Sequence, residues 1–140
     1  MLSGVNIRSR VPVYIQIENE VQFAIASGRL KSDDQLPSAR ELSERLDINP
    51  NTVNKAYRDL EVMGYVYTRR GMGVYINKGV EAQCREQCRK DVFERLHEAV
   101  SEAKAVSMSG SQVKDIVGTC LSLDSEPYGE TPDEVLALVK

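Results

Sequence analysis

The feature that most constrains the fold is the stretch from Leu36 to Ile76, LPSARELSERLDINPNTVNKAYRDLEVMGYVYTRRGMGVYI. Ser38 stands three residues before Glu41, the spacing of a capping box, in which side chain and backbone satisfy each other at a helix start. The pattern predicts a helix over 38–46 with Ala39, Leu42 and Leu46 inward. Asp47-Ile48 supplies a turn, Asn49 a second cap, and Pro50 fits the first position of a new helix, where its missing N–H costs nothing. That helix is expected over 50–63, with Val53, Ala56, Tyr57 and Leu60 on one face. Gly64 closes it. YVYT and GVYI then alternate β-branched and aromatic residues and flank Arg69-Arg70-Gly71-Met72, which reads as a hairpin with glycine at its tip.

Capped helix, tight break, capped helix and basic hairpin, in that order, describe a winged helix-turn-helix, a module that reads duplex DNA. Ahead of it, Pro12 opens a helix expected over 12–27, with Tyr14, Ile17, Val21, Ala24 and Ile25 as its apolar stripe and Glu18, Asn19 and Gln22 on the other face. Gly28 ends it. Residues 1–10, with Gly4, Arg8 and Arg10, read as an extended arm, and 28–38 as a polar loop anchored by Leu30 and Leu36.

Beyond Asn77-Lys78-Gly79 the pattern changes. Cys84, Cys88, Val92, Leu96, Ala99, Ala103 and Val106 recur at helical spacing, predicting a long amphipathic helix over 80–107. Ser109-Gly110-Ser111 interrupts it, and Val113, Ile116, Val117, Cys120 and Leu121 mark a second, shorter helix. A loop at 126–129 and a cap at Thr131-Pro132 lead into a last short helix. The expected class is therefore mainly α with a small β-hairpin: a winged helix-turn-helix domain over 1–78 and a short all-helical dimerisation domain over 79–140. The long helix carries more apolar surface than one short helix would cover, so Cys88, Val92, Leu96, Ala99, Val106, Val113, Ile116 and Val117 are expected at an interface between two copies.

The polar residues of the second helix of the motif carry the functional expectation. Asn51 and Asn54 are three apart, so both can face a major groove, where asparagine pairs bidentately with adenine. Thr52 can reach a phosphate or a thymine methyl, and Lys55 and Arg58 lie where the DNA backbone would pass. Helix N-termini, including the one at Ser38, favour phosphate. Arg69 and Arg70, with Gly71 and Gly73, would bring the wing to phosphate or minor groove. Each residue also has a plainer reading: Asn and Thr as caps, a polar face as solvated surface, Arg40 paired with Glu44 one turn on. The ordered combination outweighs these readings taken singly.

Composition narrows the alternatives. Net charge is −3, but residues 1–79 hold eleven Lys/Arg against nine Asp/Glu, while 80–140 hold seven against twelve. A mildly basic front half suits a DNA reader with a separate assembly domain. No apolar run is long enough to span a membrane and no secretory leader is visible, so the expected location is cytoplasmic. Three cysteines argue against a disulfide framework, and one histidine, His97, against a dedicated metal site. No phosphate loop or nucleophile–histidine–acid set suggests an enzyme, and no cofactor is implied. The expected partners are double-stranded DNA and a second copy of the chain, with no membrane; a small-molecule effector is compatible but unidentified. Two alternatives remain: a redox- or metal-responsive switch using Cys84, Cys88 or Cys120, and a winged-helix module that binds protein.

These motifs resemble the GntR family of bacterial transcription regulators. Pro-Ser-x-Arg-Glu-Leu, Asn-Pro-Asn-Thr-Val, Leu-Glu-x-x-Gly and the wing Gly-x-Gly carry the resemblance, over Pro12 to Asn77. The Asn-Pro-Asn-Thr-Val version and short helical tail are most similar to the YtrA subfamily. The resemblance implies a homodimer on a palindromic operator, usually repressing transcription. It implies DNA contacts from Arg40 and from the helix start at Asn51, Thr52 and Asn54, with wing glycines at Gly71 and Gly73. Some relatives carry arginine where this chain has Pro50 and Asn54, so no base preference is carried over.

Overall fold

The computed structural model describes residues 5–123. Elements follow the order α1 (Val13–Ala26), α2 (Ala39–Leu46), α3 (Pro50–Val62), β1 (Val66–Arg69), β2 (Gly73–Ile76), α4 (Glu81–Ala105) and α5 (Gly110–Ser122). The expected loop at 126–129 and helix from Thr131 lie outside the described residues. The chain forms two compact units, the first ending at Asp91 and the second starting at Val92, so α4 belongs to both.

Local chemistry sets the element ends. Ser38 accepts from the Glu41 N–H at 3.1 Å while the Glu41 carboxylate accepts from the Ser38 N–H, completing the capping box of α2. Asp47, at φ 54°, ends α2 in the left-handed region and turns the chain into Asn49, whose side chain accepts from the Asn51 N–H at 2.8 Å. β1 and β2 pair antiparallel in the register Val66 with Ile76 through Arg69 with Gly73. The loop ahead of α2 adds a partial third strand. Leu36 N–H donates to the Val74 carbonyl, Ile76 N–H to Asp34 and Asp33 N–H to Ile76, with Gln35 bridged to Tyr75.

The core of the first unit gathers Ile17, Val21 and Ile25 of α1, Leu42 of α2, Val53 and Leu60 of α3, and Val66 and Ile76 of the hairpin. Leu30 and Leu36 anchor their loop in it. Two residues of α1 depart from expectation: Glu18 and Gln22, assigned above to the solvent face, are each only 5% exposed. They sit against α3, because α1 is covered on a face wider than its apolar stripe. Val80 and Cys84 also join this core and Cys88 is buried, so the first turns of α4 pack within the first unit.

In the second unit, Ser109 and Gln112 form a capping box that starts α5. Little here is buried: Val92, Phe93, Leu96, Val100, Val106, Val117 and Leu121 are all exposed, Leu121 to 83% and Phe93 to 70%. No helix among the described residues is long and apolar enough to cross a membrane.

Candidate nucleic-acid interface

α3 is amphipathic by construction. Its Val53, Ala56, Tyr57 and Leu60 are buried, which turns Asn51, Asn54, Arg58 and Glu61 outward in one row. Tyr57 is fixed from behind, its hydroxyl donating to the Pro37 carbonyl at 2.7 Å. Beside the row stands the inner face of the wing. A groove of ≈ 340 Å³ between the two is lined by Asn51, Asn54, Tyr57, Arg58, Glu61, Thr68 and Val74. Amide, guanidinium, hydroxyl and carboxylate groups thus share one concave surface, the inventory needed to read base edges and hold phosphate.

Glu61 belongs to the Leu-Glu-x-x-Gly motif, but that motif gives it no role at the site. Its carboxylate accepts from the Thr68 N–H and hydroxyl, both at 3.3 Å, joining the end of the helix to the first wing strand. Asn77 closes the hairpin base, its amide donating to the carbonyls of Gly64 and Val66. Gln35 supports the tip by donating to the Met72 carbonyl at 2.9 Å. Gly73, at φ 124°, is needed there, since a Cβ on it would stand 2.6 Å from the Gln35 amide nitrogen. None of these contacts has a local sequence signature; they join residues 7 to 37 positions apart.

The expected cations are placed differently from one another. Arg40, on the first turn of α2 beside the capped Ser38, pairs with Glu44 at 3.1 Å, with both side chains largely exposed. Such a pair is worth little in water and exchanges readily for a phosphate. Lys55 pairs with Asp59 at 3.2 Å and lies 4.5 Å from the centroid of the Tyr14 ring on α1. Arg58 faces the groove. Arg69 and Arg70 are placed differently: strand alternation puts Arg69 on the outer wing face with Tyr67 and Tyr75, its guanidinium 5.7 and 5.4 Å from their rings. Arg70 and Gly71 are exposed at the tip. Thr52 is half-buried at the start of α3.

Behind α3 lies a buried acid. Burial, aided by a hydrogen bond to Asp59 and the charge of that residue, raises the Glu18 carboxyl from 4.5 to about 7; Lys55 opposes the rise. Asp59 is lowered by its bonds to Glu18 and Lys55. Below about pH 7, where Glu18 keeps its proton, Glu18 is the donor and Asp59 the acceptor.

The cysteines divide. Cys84 and Cys88 are buried, and burial, with Cys88 and Glu81 alongside, pushes the Cys84 thiol up to about 12, where thiolate chemistry is suppressed. Cys120 is exposed. Of the residues expected at a copy-to-copy interface, Cys88 is buried in the single chain. Val92, Leu96, Ala99, Val106 and Val117 are exposed, and Val113 and Ile116 are partly covered. Phe93 and Val100, which lie off the expected stripe, are exposed on the same unit.

Comparison with known proteins agrees with this geometry. Residues 13–76 match the model of "Bacterial regulatory proteins, gntR family". The chain is 38% identical over 96 residues to the HTH-type transcriptional repressor YtrA of Bacillus subtilis, covering 69% of this chain and 74% of that protein. It is similar to a solved GntR family transcriptional regulator from Listeria monocytogenes, with 30% identity, TM-score 0.61, and 81% and 98% of the two chains covered. It is also similar to YtrA from Sulfolobus acidocaldarius, a GntR-family transcription factor, with 29% identity, TM-score 0.51, and 84% and 95% covered.

Proposed function

The chain belongs to the GntR family of bacterial regulatory proteins, and from that membership we infer a homodimeric repressor that binds a palindromic operator. DNA-binding transcription regulation is the family's work; the dimer, the operator symmetry and the repressing sign are our inference. The observation that carries it is the outward row Asn51, Asn54 and Arg58 on a capped α3, set in one groove with the inner face of the wing. Asn51 and Asn54 read bases. Arg58 holds phosphate from the groove, Lys55 and Arg40 do so once they leave Asp59 and Glu44, and Arg70 with Gly71 brings the wing tip to the duplex. The protein acts in the bacterial cytoplasm, where its operator is, and performs no catalysis.

The dimer reading rests on the second unit. Phe93, Leu96, Val106 and Leu121 are exposed by more than half in the single chain, a large apolar area for a monomer to leave in water. A two-fold pairing of like faces closes the assembly and matches an inverted repeat. Cys88, buried elsewhere, is left out of this face.

Sedimentation of the full chain with a fluorescent operator duplex tests the reading. Two chains per duplex are expected, and Phe93→Glu with Leu96→Glu should give monomers of native helix content with weakened operator binding. One wild-type chain per duplex at full affinity would overturn it.

A further inference from the structure

Residues 5–12, ahead of α1, are held in a defined turn. Gln16 clasps them from the first turns of the helix: its Oε1 accepts from the Asn6 N–H at 2.8 Å, and its Nε2 donates to the carbonyls of Asn6 and Val11 at 3.0 and 2.8 Å. Within the turn, Asn6 accepts from the Arg8 N–H and Ser9 from the Val11 N–H. Val5 packs on the core. The outcome is an ordered arm that presents Arg8 and Arg10, both exposed, and neither joins the ion pairs found among the described residues. No acidic residue precedes Glu18, and Glu18 is buried.

Where this arm lies follows from how α1 meets α3. Tyr14 is against Lys55, Glu18 bonds to Asp59, and the Gln22 amide reaches the Met63 sulfur at 3.9 Å. The three pairs advance together, so the two helices run in the same direction in constant register. Carried back to Val13, the register puts the start of α1 level with Asn54, and the arm therefore leaves α1 beside the N-terminal turn of α3. That is the end of a recognition helix that meets the duplex. Two exposed arginines carried there on a backbone that Gln16 holds, with no carboxylate on the arm to compete, fit one partner chemistry: the phosphate backbone flanking the bases that α3 reads.

We propose that the arm Val5–Pro12 is part of the DNA interface, with Arg8 and Arg10 contacting phosphates and Gln16 acting as the positioning residue that holds them. This rests on the DNA-reading assignment of α3. Gln16 works by reducing the conformational freedom given up when the arm meets DNA.

The test is the salt dependence of duplex binding by the full chain, measured for wild type, Arg8→Gln/Arg10→Gln and Gln16→Ala, with Asn54→Ala as the probe of the reading itself. The double variant should bind selected and random duplexes more weakly, with a log–log salt slope shallower by about 0.9 for each phosphate no longer neutralised and unchanged base preference. Gln16→Ala, which keeps both charges, should lose affinity while retaining most of the slope. Unchanged slope and affinity in the double variant, with Asn54→Ala still losing base preference, would overturn the arm and leave the reading of α3 standing. Altered base preference without a change of slope would also overturn it, in favour of minor-groove readout. Absence of salt-dependent wild-type binding would remove the α3 assignment and the arm with it.

Discussion

Replacing Glu18 by Gln should make the protein more stable above neutral pH and leave it nearly unchanged at pH 5. Glu18 is 5% exposed between α1 and α3, and its carboxyl titrates at about 7 rather than 4.5 because burial and the neighbouring Asp59 disfavour its charge. The native state therefore holds this proton more tightly than the unfolded chain. Between pH 4.5 and about 7 it binds more protons than the unfolded state, so stability falls as pH rises through that window and levels off above it. A tenfold change in proton affinity is worth about 1.4 kcal/mol. The rise from 4.5 to about 7 thus sets a ceiling of about 3 kcal/mol. Screening by solvent at the helix edge lowers the expectation to about 2 kcal/mol. A glutamine amide can donate to Asp59 as the protonated acid does, but carries no proton to lose. Urea melts followed by circular dichroism at pH 5, 6, 7 and 8 measure the difference between the two proteins. The variant should match wild type at pH 5 and exceed it by about 2 kcal/mol at pH 8. A constant difference across the series would refute the buried proton, and a larger deficit of the variant at pH 8 than at pH 5 would reverse its sign.

Three further outcomes are expected. Asn51→Ala and Asn54→Ala should each reduce discrimination between selected and random duplexes by about 1–3 kcal/mol for each base pairing removed, with melting unchanged; equal discrimination in competition binding would take α3 out of the groove. Gly73→Ala forces a Cβ toward the Gln35 amide at a φ of 124°, and strain of about 1–3 kcal/mol should lower thermal stability and weaken duplex binding, both read against wild type in the same buffer. A thiol-labelling reagent should modify Cys120 promptly and Cys84 and Cys88 only on unfolding, as mass spectrometry of tryptic peptides would record.

How much is legible in the sequence depends on the range of the interaction. Caps act over three residues, and Ser38 with Glu41, Asn49 with Pro50, and Gly64 put α2 and α3 where the chain has them. The hairpin register follows from alternation around the glycine turn. Contacts across the fold carry no such signal. Glu18 and Gln22 look solvent-facing on a helical wheel, because a wheel built from apolar residues does not include the polar edge that α3 covers. Gln35 and Glu61 gain their roles from partners on other elements. In α4 one apolar stripe runs from Cys84 and Cys88 to Val92 and Leu96, yet the first pair is buried and the second pair is exposed. Phe93 and Val100, one position off the stripe, are exposed as well. The two arginines of the wing tip read alike in sequence and separate only when strand alternation sends Arg69 to the tyrosine face.

Whether the protein is a two-headed reader of duplex DNA is decided by selecting bound duplexes from a random pool with the 140-residue chain. Enrichment of an inverted repeat whose half-sites are separated by a fixed spacing is expected, abolished when Asn51 and Asn54 are both replaced by alanine. Recovery of unenriched sequence, or of single half-sites without a repeat, would contradict it.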